Sequence, residues 1–439
     1  MRATVKAGGI GLLCGFLCVM MWCSKVAAEE SPSPAVLALA EAVRLALGHQ
    51  PTLLAAKGAT QSQQALVGVA KSNFFPQLNF DASYQRLTLD QSRKGTNPAM
   101  TSGESYNNYN ARISLQQLLF DFGKTGASVE SATENLKGSK LSEENSRQTV
   151  VINVKVAYYA LLAARHLLQV QEETVRQSKE HLDQAQGFYE AGTRTKFDVT
   201  NAEVTLTNAQ LDLIRAKNVV EIARVTLANA MGVPDYPIGE LEELLTFEKM
   251  EVTEEQALKE GLAARPDLQS LAAQRQSAEA AVRSAQRTNF PVLSATANYG
   301  YYGGESNFPL AYNWDAGMSL TLPIFSGFLI QSQVAQARAN LMVAGANEES
   351  IRQDVILDVH RSFSTLVETE ERVKTAEVVV RQAQENLDLA NGRFQAGIGT
   401  SLEQTDAQVL LANAKTTRIQ ALFDYRVAAA ALLKAMGRE

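Results

Sequence analysis

Past its first 28 residues, this 439-residue chain contains no cysteine: Cys14, Cys18 and Cys23 all lie before that point. Those residues read as a secretory signal, with Arg2 and Lys6, an apolar run from Gly8 to Trp22, and Val26-Ala27-Ala28 before Glu29. An uncleaved anchor is the alternative, although the run is shorter than the ~20 residues a membrane span needs. A lipoprotein fits less well still, since no cysteine in the signal follows the small-residue box that lipidation requires. Disulfides, thiol catalysis and thiolate metal sites are thus ruled out of the exported protein. Aromatic residues are only 7% of the chain, low for a protein packed around one compact core. A basic surface is lacking too. Without Arg2, Lys6 and Lys25 the 41 basic residues fall to 38 against 47 acidic ones, a net charge of −9, which argues against nucleic acid as a partner. No apolar stretch near 18 residues is expected after residue 28, so any membrane contact is expected to be made by strands.

What the sequence does have is internal repetition. Residues 51–76 align with 266–291 at an offset of 215, and 113–232 align with 318–437 at an offset of 205. Both copies end alike, in Asn-Ala-Met-Gly from Asn229 and Lys-Ala-Met-Gly from Lys434. The change of offset falls in one loop region, between Pro76 and Phe120.

Within each copy the periodicity changes in a fixed order. Helical segments start at Pro51 and Pro266, where proline suits a first turn, and stop before Pro76 and Pro291. Strict alternation follows. Leu78, Phe80, Ala82 and Tyr84 interleave with polar residues, as do Tyr109, Ala111, Ile113 and Leu115. The second copy repeats this with Leu293 to Tyr301 and Trp314 to Leu322. Four strands of this kind, with one apolar and one polar face and aromatic ends, suit a transmembrane barrel; a soluble sheet is the other reading. Next come two proline-free runs, about 123–190 and 327–395, each roughly 100 Å long as a helix. Their seams alternate in steps of three and four: Val373, Ala376, Val380, Ala383, Leu387, Ala390 and Phe394, against Leu168, Gln171, Val175, Ser178, Leu182, Ala185 and Tyr189. That is coiled-coil packing with small core residues.

Each long helix should break at Ala191-Gly192 or Ala396-Gly397 and turn back. Capping boxes at Thr195-x-x-Asp198 and Thr400-x-x-Glu403 restart the returning helices, which run to Met231 and the end of the chain. The first returning helix plus the separate helix from Pro266, contributed by the other half, would match a long helix in length. No catalytic constellation emerges. His49, His166, His181 and His360 are scattered, and Asp354, Asp358 and His360 do not share a helix face, so no metal site and no cofactor are expected.

The two tip motifs, Phe-Tyr-Glu-Ala-Gly-Thr-Arg-Thr from Phe188 and Arg-Phe-Gln-Ala-Gly-Ile-Gly-Thr from Arg393, occur in a fixed order with the strand-to-helix words around Phe120 and Phe325. In that order, duplication and spacing the chain resembles the TolC-type outer-membrane efflux proteins over essentially its whole mature length. The resemblance implies a mainly α fold with a membrane β-barrel. In it, an internally duplicated chain forms long coiled-coil hairpins in a periplasmic α-barrel, and four strands per protomer complete a trimeric twelve-stranded barrel in outer-membrane lipid. It implies export of drugs, small molecules, metal ions or proteins, type I secretion included. The implied partners are a periplasmic membrane-fusion adaptor and an inner-membrane RND, ABC or MFS pump. It also implies an entrance where Asp198, Glu403 and Asp406 ring the bore with Arg194 and Tyr189, and adaptor-docking tips at Gly192, Thr193, Gly397, Ile398 and Gly399. This chain departs from the family lock at Phe394, which has no hydroxyl, and at Gly399, where a basic residue is common.

The expected organisation is a signal at 1–28, a first repeat at 29–235 with its β-hairpin about 77–120, an equatorial linker at 236–254, and a second repeat at 255–439 with its β-hairpin about 292–325. A secreted coiled-coil spacer or adhesin without a pore is the rival function; the matched strands argue against it.

Overall fold

The computed structural model describes residues 36–88, 105–303 and 310–439; the signal expected at 1–28 lies outside them. In chain order the elements are α1 (Leu39–His49), α2 (Pro51–Ser72), β1 (Gln77–Thr88), β2 (Ser105–Phe120), α3 (Lys124–Glu190) and α4 (Lys196–Ala230). The second half follows with α5 (Glu254–Ala264), α6 (Pro266–Arg287), β3 (Val292–Gly303), β4 (Ala311–Thr321), α7 (Leu329–Gln395) and α8 (Ser401–Ala435). The proline starts, the alternating segments and the two 67-residue helices stand where their periodicities place them.

The four strands form one antiparallel sheet in the order β1-β2-β3-β4. Its register separates an apolar from a polar face over the middle of the strands. Phe80, Ile113, Tyr299 and Trp314 lie in one cross-strand row, while Asn79, Ser114, Asn298 and Asp315 share the opposite face. The apolar face is not buried in the chain's own core: Phe80 is 68% exposed and Met318 76%. The polar face is concave, lined by Ser83, Asn110, Arg112, Asn298 and Asp315. Gly300 lets β3 lie close against β2, since a Cβ there would collide with the Ala111 carbonyl oxygen.

Sheet passes to helix through two consecutive left-handed residues in each copy. These are Phe122 (φ 54°) and Gly123 (φ 83°) in the first, Gly327 (φ 61°) and Phe328 (φ 65°) in the second. The 205 offset pairs each phenylalanine with a glycine, so each copy carries one strained non-glycine residue. Asp121 holds the first junction, its carboxylate accepting from the Gly123 and Thr125 amides at 3.0 and 2.7 Å.

The helices pack through small residues, which explains the low aromatic content. Ser128, Ser131 and Ser142 of α3 meet Ser284, Ser277 and Ser270 of α6 at 2.8–2.9 Å. Serines seven apart on α6 keep one face toward α3. The returning helices do continue end to end into shorter ones, but the partner comes from the same repeat, contrary to expectation. Gly232, just past α4, abuts His49 and Gln50 at the start of α2; Gly437, past α8, abuts Ala264 and Arg265 at the start of α6. Both glycines have φ near +75°, and a Cβ would approach backbone atoms at 2.8–2.9 Å.

The main core lies midway along α3, where Val154, Tyr158, Leu161 and Leu162 pack with α1, α7 and α8 and with the non-helical segment before α5. This part of α3 is apolar enough in composition to cross a membrane, against the expectation of no such stretch. More than half of it is buried inside the protein, which accounts for its apolarity. Two tyrosines hold the non-helical segment. The Tyr158 hydroxyl donates to the Leu37 carbonyl (2.7 Å) and accepts from the Glu242 amide (2.9 Å), and Tyr425 does the same with Glu248 (2.6 Å) and Met250 (3.0 Å). Burial pushes the Tyr158 phenol up to about 12. His166 and His360 also bind this segment's surroundings, through Glu243 (2.8 Å) and Glu254 (2.5 Å), while Asp358 pairs with Arg265 (3.0 Å). Among the described residues no cluster suited to a metal ion forms.

Candidate functional site at the hairpin tips

Both helix reversals have the same backbone geometry. Thr193 N–H reaches back to the Phe188 carbonyl (2.9 Å) and Gly192 N–H to Tyr189 (3.0 Å); Ile398 and Gly397 do likewise to Arg393 and Phe394 (both 3.1 Å). This six-to-one and five-to-two pairing satisfies the last helical carbonyls and requires a left-handed residue, supplied by Gly192 (φ 74°) and Gly397 (φ 76°). Nothing lies within 4 Å of a Cβ built at either glycine, so conformation rather than space demands them.

The restarts differ between copies. Asp198 reaches back to the Thr195 amide (3.1 Å) and hydroxyl (2.8 Å), as its spacing predicts. In the second copy the box is only half made. The Thr400 hydroxyl accepts from the Glu403 amide (3.1 Å), but the Glu403 carboxylate turns to Arg393 (3.3 Å) instead of its cap. Arg393 is the nearer full charge, and a charge-assisted bond outcompetes an exposed amide. Gly399 offers the second tip no cation, and Arg393 provides one from the helix before the turn.

The expected lock is also rearranged. Tyr189 is 46% exposed, with Lys196 over its ring at 5.9 Å, rather than buried in the seam. Arg194 leaves its own tip and crosses to the other, donating to the Gly399 carbonyl (2.8 Å) and lying 5.1 Å over the Phe394 ring. Gly399 lacks a basic side chain because none fits: a Cβ would stand 2.9 Å from Phe394 N. Asp406 is exposed and makes no ion pair with a described residue.

What joins the two hairpins is an aromatic cluster that the sequence did not single out. Phe394, 2% exposed, stands edge-on to His181 and Phe188, with centroids 5.6 Å away in each case. His181 is 1% exposed, and its Nε2 lies 3.1 Å from the Ser401 hydroxyl of the other hairpin. Burial holds its imidazole below the ordinary histidine range, and the Asp198 carboxylate pulls the other way. The seam inside each hairpin is apolar by contrast: Ala383, Leu387 and Ala390 against Ala407, Leu411 and Ala414, and Ala185 against Val199 and Ala202. The only signal for the cross-hairpin cluster in the sequence is Phe394 closing an otherwise small-residue seam.

Residues 42–233 and 257–438 each match a family model described as outer membrane efflux protein. Among curated relatives, outer membrane protein TolC of Escherichia coli (strain K12) is 26% identical over 84% of this chain and 76% of its own. The pyoverdine export outer membrane protein OpmQ of Pseudomonas aeruginosa is 24% identical over 89% and 83%. Of solved structures, the Campylobacter jejuni CmeC outer membrane channel superposes with TM-score 0.80 at 19% identity, covering 91% of this chain and 85% of that one. The outer membrane protein VceC of Vibrio cholerae gives 0.78 at 19%, covering 91% and 96%.

Proposed function

Because the chain belongs to the outer membrane efflux protein family, we propose that three copies assemble into one export conduit spanning the outer membrane, with its helices in the periplasm. The observation that carries this reading is the sheet. Four strands cannot close alone, and open edges are not tolerated in lipid. β1 and β4 are antiparallel edge strands, so the β1 of a second copy continues the order beside β4 of the first. Three copies then give twelve strands, with the concave polar face as lumen and the exposed apolar face toward lipid. The helices carry the same need for copies: Val204, Leu211, Ile214, Ile222 and Val225 of α4 are all at least half exposed.

The conduit receives cargo from a periplasmic adaptor and an inner-membrane pump of the RND, ABC or MFS type. Relatives are named for pyoverdine export, toluene efflux and alkaline protease secretion, so cargo is chosen by the pump rather than by this chain. The tips at Gly192, Thr193, Gly397, Ile398 and Gly399 dock the adaptor; Ile398 is 70% exposed and offers an apolar contact. Asp198, Glu403 and Asp406 line a cation-attracting entrance, tempered by Arg393 on Glu403 and by Arg194 behind it. The segment 236–254 serves as the linker at mid-height between the repeats at 29–235 and 255–439. The test is mass measurement on protein extracted with detergent from outer membranes. A heat-resistant trimer cleaved near Ala28 is expected; a soluble monomer refutes the proposal.

A further inference from the structure

We infer that His181 is a proton-sensitive latch between the two hairpins, so that acidification of the periplasm loosens the tip. His181 belongs to the first hairpin, while its ring contacts, Phe394 and Ser401, belong to the second. The neutral ring is well served: Nε2 shares a hydrogen bond with the Ser401 hydroxyl, and Nδ1 can carry a bare lone pair. Protonation puts an N–H on both nitrogens. Nδ1 is buried with no partner among the described residues, so the added N–H finds no acceptor while the latch stays closed. Gln404 Oε1, on the same turn of α8 as Ser401, is likewise buried without a partner.

The charges around the ring decide where it goes once protonated. On α3 itself Lys179, Glu180 and Asp183 are exposed. On the second hairpin Glu403 of α8 is engaged by Arg393 of α7, Asp406 is exposed to solvent, and Ser401 and Gln404 are neutral. The tip turn presents Arg194, a cation already seated on Phe394. Among the described residues the anion that acts on the ring is Asp198 of α4, in the histidine's own hairpin. Gaining a proton therefore shifts His181 from the second hairpin toward the first.

The direction follows from linkage. A base held below its ordinary value when buried binds its proton more readily once exposed, so closure is intact well above the exposed value near 6.5. It is lost as pH falls from there toward the closed-state value, by up to about tenfold in the closed-to-open ratio per pH unit.

The test uses spin labels on cysteines introduced at Ala191 and Ala396, both exposed, in the detergent-purified full chain. Between pH 7.5 and 5.5 a longer-distance population is expected to grow, and His181→Gln is expected to suppress that growth. Asp198→Asn, which removes the charge that favours the imidazolium in the closed latch, is expected to lower the closed-state value further and move the midpoint to higher pH. Distances that do not change with pH, a His181→Gln protein that responds like wild type, or an unmoved midpoint in Asp198→Asn would each overturn the inference. The readout needs no conductance, so it stands or falls separately from the channel proposal.

Discussion

Replacing Phe394 with alanine tests the tip cluster most sharply, because the repeat supplies its own control. The 205 offset pairs Phe394 with Tyr189, so a reading based on sequence alone gives both rings the same place in a helical seam. In the structure Phe394 is 2% exposed and touches two aromatic rings and a guanidinium, whereas Tyr189 is 46% exposed and meets only the Lys196 ammonium. Truncating a fully buried phenylalanine costs about 3–5 kcal/mol. The lower end applies here, because the site lies beside solvent and can collapse. About 3 kcal/mol is a little over two decades in an opening equilibrium. Tyr189→Ala removes an exposed ring and one cation–π contact, about 0.5 kcal/mol. Amide hydrogen exchange on the purified protein reads both. In Phe394→Ala, residues 178–190 and 393–406 should exchange about a hundredfold faster, while 150–164 in the main core stays protected. Equal effects from the two variants, or unchanged tip exchange in Phe394→Ala, would refute the cross-hairpin role assigned to this ring.

Other substitutions probe the remaining geometry. Gly192→Val and Gly397→Val force a β-branched residue into a left-handed turn with no clash, so each should cost about 1–2 kcal/mol, lowering export in cells while trimers still form on gels. Gly437→Ala meets backbone at 2.8 Å as well as a positive φ, and should reduce trimer yield more than either tip variant. Tyr158→Phe leaves the Leu37 carbonyl and the Glu242 amide only their long mutual bond of 3.3 Å, at about 1 kcal/mol, seen as faster proteolysis of the segment before α5. Joint neutralisation of Glu403 and Asp406 should reduce cation preference and block by multivalent cations in bilayer recordings; unchanged selectivity would leave these acids as helix caps.

Most of the architecture was legible in the sequence because it is periodic. Alternation set the four strands and their faces, and proline and glycine marked where helices begin and turn. The offsets of 215 and 205 located corresponding elements. What escaped depends on contacts between segments far apart in the chain. The partner that continues α4 is fixed by Gly232 meeting Gln50, and no local pattern encodes that meeting. Glu403 has the spacing of a capping acid, yet Arg393 lies across the turn and takes it. His181 reads as one more polar residue on a long helix until the second hairpin covers it. The role of Asp121 is not legible, because a cap two residues before left-handed backbone matches no simple spacing rule.

The central claim is that the concave polar face of the sheet becomes a water-filled lumen once copies combine. Single-channel recording of the purified protein in planar lipid bilayers tests it most directly. Discrete, long-lived conductance steps are predicted, altered when Arg112 or Asp315 on that face is neutralised and unaltered by polar substitutions on the opposite, apolar face that preserve insertion. Protein that inserts and produces no steps, or steps indifferent to charge on that face, would contradict the account.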